Sequence, residues 1–252
     1  AGTPTGSRQT MRAAAAVAAE CDGAHGVLTG CPQEPHTYTE TVPANRVHLV
    51  RHGEVFNPDR VLYGRLPNFR LSDDGRRMAL AAAEYMRSLD RPVRELVASP
   101  LQRAQESAEP FAELFGLTPR IDERVIEPTN VFEGKQMRRA LRNPLNWWHL
   151  RRPSVPSWGE PNASIAARMA EAMDAAWQGV DGGDVVIVSH QAPIWITHLH
   201  VAGERLAHDP RTRRCALSSV TSFARAGGGS GWVEVAYAEP AATDSAVDVG
   251  AV

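Results

Sequence analysis

The sequence predicts an α/β fold, a three-layer α/β/α domain around a mostly parallel central sheet. Three junctions carry that expectation. Val47-His48-Leu49-Val50-Arg51-His52-Gly53 and Val185-Val186-Ile187-Val188-Ser189-His190 are short β-branched runs that break off in polar residues, and Leu96-Val97-Ala98-Ser99-Pro100 is a third such run that leads into a helical pattern. Runs of this kind are how buried parallel strands deliver side chains to the carboxyl edge of a sheet, where open α/β folds bind ligands. At 252 residues and 43% hydrophobic content, the chain can bury one sizeable core.

The elements follow in chain order. Residues 1–45 are rich in Ala, Thr, Gly and Pro without a helical or strand period after Ala19, so a flexible extension is expected there, with a catalytic domain over 46–239 and a loose tail over 240–252. Ser72 before Asp73 and Asp74 reads as an N-cap, and Met78, Ala82, Tyr85, Met86 and Leu89 then recur at helical spacing. A second helix spans about Leu101 to Gly116 with Leu101, Ala104, Ala108, Phe111 and Phe115 inward. Pro110 is expected to bend it or mark a boundary.

From about 133 to 160 the period is lost among Arg138, Arg139, Arg142, Trp147, Trp148, His149, Arg151, Arg152 and Trp158, which reads as an inserted lid. A helix from about Pro161 to Gln178 turns Ile165, Met169, Met173 and Trp177 to one side, with Gly179 suited to its C-cap. Pro193 fits the first turn of a helix from Ala192 through His200. Leu217–Ala224 and Trp232–Ala238 alternate like a pair of strands about the Gly227–Gly231 turn.

The formal net charge of −2 gives no global pull toward nucleic acid or an anionic membrane, so attraction for an anionic substrate must come from local arginines. No run reaches the roughly eighteen apolar residues of a membrane span. Cys21, Cys31 and Cys215 are an odd set without metal-ligand spacing, which supports neither a disulfide framework nor a metal site and suits a reducing cytoplasm. Neither a metal, a cofactor, nucleic acid nor a membrane is expected as a partner, and the oligomeric state is left open.

Arg51-His52-Gly53-Glu54, Leu71-Ser72-Asp73-Asp74-Gly75, Ser99-Pro100-Leu101-Gln102-Arg103, Gly159-Glu160 and Ser189-His190 together resemble the histidine phosphatase superfamily, the phosphoglycerate mutase-like group, in the expected order from about Val47 to Tyr237. The resemblance implies a nucleophile at His52 that becomes phosphorylated, with Arg51, Arg103 and His190 lining the phosphate pocket. Arginine suits that task because its fork matches phosphate bidentately. Nucleophilic attack requires one bare ring nitrogen, which usually means that the other donates to a backbone carbonyl. His190 precedes a helix, whose first N–H groups at Gln191 can point at an oxyanion, although the family commonly has glycine at Gln191.

The family's acid lies in a Leu-x-Glu pattern followed by glycine and Trp-Glu-Gly. Here Glu127 matches the acid and Glu133-Gly134 the end of the pattern, one residue is missing between them, and Phe132 replaces the tryptophan. Glu127 is the expected acid, with Glu133 the fallback or a structural residue. Asn57 is either a phosphate ligand or a turn former before Pro58. The lid arginines, Arg151 and Arg152 among them, either clamp a second anionic group or form a solvated face with the tryptophans tucked into core. The mutase members' Glu-Arg-x-Tyr-Gly-like segment is absent. The expected activity is therefore metal-independent hydrolysis of a small anionic phosphomonoester, the alternatives being mutase-type transfer and a catalytically silent phosphate-binding protein.

Overall fold

The computed structural model describes residues 44–150, 159–227 and 231–241. One six-stranded sheet organises them. Its strands are β1 (Arg46–Arg51), β2 (Val93–Ala98), β3 (Arg120–Ile121), β4 (Asp184–Ser189), β5 (Val220–Arg225) and β6 (Trp232–Ala238), in the order β3-β2-β4-β1-β5-β6. The first four run parallel, while β5 and β6 close one side antiparallel.

Period-2 alternation divides each central strand between two cores. Val47, Leu49, Val97, Val185 and Ile187 pack with Ile165, Met169 and Met173 of α4 (Asn162–Gln178) and with Ile194 and Leu199 of α5 (Gln191–Val201). Val50, Leu96, Ala98, Val186 and Val188 face the other way, against Ala82 and Met86 of α1 (Asp73–Ser88) and Ala104, Ala108 and Phe111 of α2 (Gln102–Phe115). Helices therefore cover both faces, which is why the central strands read as continuous apolar runs. Truncating Met169 or Met86 to Ala, both wholly buried, costs about 2–5 kcal/mol through lost transfer energy and cavity formation.

Local signals act where expected, with instructive exceptions. Ser72 Oγ accepts from Gly75 N at 2.9 Å and caps α1. Pro110 lies inside α2 without dividing it, and Gly116 ends that helix in the left-handed region at φ 66°. Gly179 caps α4 with right-handed dihedrals, so there the glycine is not required by φ. The strand expected from Leu217 begins only at Val220, because Ser218 turns the chain at φ 54° and Ser218 N donates to His52 O while Ser219 O accepts from Arg51 N. Ala44 is buried and its N–H donates to Trp177 O, and Ala241 packs with Met78 and Leu217, so the packed chain extends slightly past both boundaries expected at 46 and 239.

The described part of the lid contains α3 (Met137–Ala140) and a 3₁₀ segment, Pro144–Leu150. Arg138, Arg139 and Arg142 are exposed, and Trp147 and Trp148, at 59% and 64%, lie on the surface rather than in the core. Arg151, Arg152 and Trp158 fall outside the described residues, as do residues 1–43 and 242–252.

Candidate active site

The site is assembled by strand register. Parallel pairing sets Arg51 opposite Ser189, so the next residues, His52 and His190, emerge side by side at the carboxyl edge with ring centroids 5.2 Å apart. The neighbouring strand β2 ends one residue before Ser99, whose Oγ shares a 2.7 Å hydrogen bond with His190 Nε2. Arg103 enters from the first turn of α2 and Arg51 from the end of β1, and both are completely or almost completely buried.

Backbone close approach fixes the chain that leaves β1. A Cβ on Gly53 would meet Gly75 O at 2.3 Å, and one on Gly75 would meet Glu54 O at 2.0 Å, so neither position admits a side chain without moving backbone. Gly53 N donates to Ser107 Oγ, which itself donates to Arg103 O, tying the strand tip to α2.

His52 is 2% exposed, and its Nδ1 lies 2.7 Å from Gly53 O. A carbonyl only accepts, so Nδ1 carries the proton and Nε2 keeps its lone pair. Burial, reinforced by the fields of Arg103 and Arg51, holds its pKa well below that of a free imidazole, so the ring is neutral. Burial does the same to His190, again with Arg103 adding to it. Arg103 is held by Nη2 donating to Gly64 O at 2.7 Å, with its guanidinium 4.7 Å from the Tyr63 ring centroid. Arg51 Nη1 donates to Cys215 O at 2.6 Å.

The two candidate acids have opposite environments. Glu133 Oε1 accepts from the backbone N–H groups of Arg65 and Asn130, both at 3.1 Å, and braces the loop that carries Gly64. Among the described residues, Glu127 Oε2 is buried with no hydrogen-bond partner and lies 4.0 Å from His190 Nδ1, which also lacks one. Burial raises the Glu127 pKa, partly offset by Arg103, Arg213 and Arg51. The backbone beside Glu127 is clamped instead: its carbonyl accepts from Arg65 Nε, and Arg65 and Arg168 both reach Glu160, Arg168 in a bidentate pair. A Cβ on Gly159 would strike Thr129 O at 2.1 Å, which accounts for the glycine of the Gly159-Glu160 pair.

A family profile described as the histidine phosphatase superfamily (branch 1) matches residues 47–238. The chain belongs to this superfamily. Within it, the chain is 50% identical over 200 residues to the uncharacterized protein Rv0525 of Mycobacterium tuberculosis, covering 78% of this chain and 97% of that one. It is 32% identical over 168 residues to the glucosyl-3-phosphoglycerate phosphatase of the same organism, covering 58% and 70% respectively. A solved structure of the mycobacterial glucosyl-3-phosphoglycerate phosphatase superposes with a TM-score of 0.60 at 25% identity, over 76% of this chain and 97% of that one.

Against the superfamily pattern read from the sequence, the structure gathers His52, Arg51, Arg103, Glu127 and His190 at one sheet edge, as the contacts above describe. Asn57 is turned into its own loop, with Oδ1 accepting from Val61 N at 3.2 Å and Nδ2 donating to Val61 O at 2.8 Å. Gln191 opens α5, and its Oε1 accepts from Arg213 Nη1 at 3.3 Å. Sequence reading missed Arg213, Ser99 and Ser107 as site residues. Ser107 had a signal, standing four residues after Arg103 on one helix face; Arg213 had none. Among the described residues no three His, Cys, Asp or Glu side chains come together as metal ligands, and no helix is long and apolar enough to cross a membrane.

Proposed function

We propose that this chain is a cytoplasmic phosphatase that hydrolyses a small phosphomonoester through a phosphohistidine on His52, without a metal ion. The observation that carries the reading is the His52 ring, neutral, fixed by its Nδ1–H on Gly53 O, and with Nε2 making no hydrogen bond among the described residues, beside two buried arginines. Odd cysteine usage supports the cytoplasmic assignment, and the glucosyl-3-phosphoglycerate phosphatases similar to the chain support hydrolysis of a phosphorylated small molecule.

In the first step the Nε2 lone pair attacks phosphorus and the ester P–O bond breaks. Arg51 and Arg103 take up charge on the equatorial oxygens, with His190 beside them. Glu127, whose pKa burial raises against the fields of the nearby arginines, gives its proton to the departing oxygen. In the second step water attacks the phosphorus, the Glu127 carboxylate takes the proton from that water, the N–P bond breaks, and inorganic phosphate leaves.

The test is turnover of a phosphomonoester panel with and without a bisphosphorylated primer, combined with trapping of the enzyme-bound label. The expected result is primer-independent release of phosphate and an alkali-stable, acid-labile phosphoenzyme, both abolished in His52→Ala. Wild-type turnover by His52→Ala sinks the mechanism. Strict dependence on the primer makes the chain a mutase, and the absence of turnover makes it a silent phosphate binder.

A further inference from the structure

Ser99 follows β2, and its N–H donates to Val188 O at 3.0 Å, so the pairing of β2 with β4 runs one residue past the strand. That extra step sets the wholly buried Ser99 against the wholly buried His190. The His190 ring makes no cap on α5, although His190 is the residue before that helix. Its one hydrogen bond among the described residues is the 2.7 Å contact between Nε2 and Ser99 Oγ.

A serine hydroxyl and a neutral imidazole nitrogen can bond in either sense, and the surroundings of Ser99 select one. Ser99 Oγ already accepts from Leu101 N, at a long 3.4 Å. If the ring donated as well, the hydroxyl hydrogen would have no acceptor among the described residues, in a wholly buried position. An unmade buried donor costs about 1–3 kcal/mol. With Ser99 O–H donating to Nε2, that cost is absent. Burial, with the field of Arg103, keeps the ring neutral, so its single proton is then on Nδ1, 4.0 Å from Glu127 Oε2. His52 holds the same tautomer by another route, Nδ1–H on the Gly53 carbonyl. The pair thus offers one bare nitrogen, His52 Nε2, and one uncommitted N–H, His190 Nδ1.

We infer that Ser99 is a positioning residue: its O–H donates to His190 Nε2 and so holds the ring's one proton on Nδ1, from which it is donated as a hydrogen bond to an oxygen of the phosphoryl group during transfer. The inference rests on the phosphatase reading for the phosphoryl group, while the place of the proton is independent of that reading. The other tautomer would set a lone pair against the phosphoryl oxygens and the Glu127 carboxyl, where a donor is needed. Ser99 itself touches no reacting atom and acts through the ring.

Long-range proton–nitrogen correlation spectra of ring-labelled histidines read the tautomer, with His190 assigned by its loss in His190→Ala. The expected wild-type pattern at His190 is a protonated Nδ1 and a bare Nε2, and in Ser99→Ala the proton shifts toward Nε2. A wild-type ring protonated at Nε2, alone or at both nitrogens, overturns the inference before any variant has to fold. Turnover of p-nitrophenyl phosphate is the second measurement. Ser99→Ala should lower kcat about tenfold, as loss of the hydrogen bond that orients a functional histidine does, and Ser99→Thr, which keeps the hydroxyl, should restore most of it. His190→Ala, which removes the donor outright, should cost roughly 10²–10³-fold, and in that background Ser99→Ala should cost nothing further. An equal loss in both backgrounds makes Ser99 merely structural and overturns the inference, as does wild-type kcat in Ser99→Ala. A wild-type chain that leaves p-nitrophenyl phosphate intact refutes the phosphatase reading alone, and the ring spectrum of that same chain still decides the place of the proton.

Discussion

Strands β1 and β4 each carry buried ionisable groups at both ends, and the ends are finished differently. At the amino end, His48 is fully satisfied: Nδ1 meets Ser222 Oγ at 2.8 Å and Nε2 meets Asp184 Oδ2 at 3.1 Å. Asp184 in turn accepts two bonds from Arg91, at 2.6 and 2.8 Å. At the carboxyl end, the same residue types leave Arg103 Nε, His190 Nδ1 and Glu127 Oε2 buried without partners among the described residues. Buried polar groups are normally paired, and orphaned ones are costly. A histidine–carboxylate–arginine set closed on itself is structure. The same set left open at the carboxyl edge is the candidate site.

That comparison can be broken from either end. The largest expected effect is at the open end. Glu127→Gln should slow esters with poor alkyl leaving groups by roughly 10²–10⁴-fold, the range of general acid catalysis, and p-nitrophenyl phosphate far less. Glu133→Gln, which disturbs a loop brace, should lower both rates alike. Leaving-group dependence at Glu133 instead would put the acid there.

At the closed end, Asp184→Ala leaves buried His48 and partly exposed Arg91 without their carboxylate and should cost about 3–5 kcal/mol of stability, the usual result of removing one partner of a buried pair such as His48–Asp184. Denaturant titration reads the loss, and kcat of the folded protein should stay at the wild-type value. A selective fall in kcat with unchanged stability would make the amino end part of the catalytic machinery.

The two ends should also answer pH with opposite sign. The bonds from Arg91 and His48 outweigh burial and lower the Asp184 pKa from 3.8 to about 2, so its stabilising contribution is present above 3.8 and is lost as pH falls toward 2. Burial raises the folded pKa of Glu127 above 4.5, so its contribution is complete below that value and is lost as pH rises through the folded pKa. In the proposed turnover, the lowered His52 pKa keeps that ring neutral into acid, and Glu127 is protonated below its raised pKa. The rate with alkyl esters should fall as pH rises through the Glu127 pKa, and Glu127→Gln should flatten that limb. An unchanged alkaline limb in the variant would assign it to another group. The smallest effect is expected from deleting residues 1–43, which should change stability by no more than about 1 kcal/mol; loss of soluble protein would contradict this.

What the sequence revealed and what it withheld divide along the same physical line. The strand tips were legible because a β-branched run ending in Arg51-His52 or Ser189-His190 is a local signal, and the helix faces were legible because Met78, Ala82 and Met86 or Ile165, Met169 and Met173 recur at a fixed period. The distinction between Glu127 and Glu133 was not legible, because it depends on Arg65 N arriving from a loop far away in the chain. Arg213 was hidden among Arg205, Arg211 and Arg214 on one polar loop, and only the tertiary contacts with Gln191 and His208 separate it from them. The start of β5 was misplaced for a similar reason. Alternation continues through Leu217, but the reach of Ser218 and Ser219 to the tip of β1 overrides it.

The pairing of Arg51 with Ser189 has a practical consequence. The spacing between His52 and His190 is written into main-chain hydrogen bonds, which are indifferent to side-chain identity along the rim. Reagents or designs that replace the surface around Trp147 and Trp148, or the loop between α5 and β5, therefore inherit an intact His52–His190 pair. Loops can be exchanged on this chassis without altering the spacing of the two histidines.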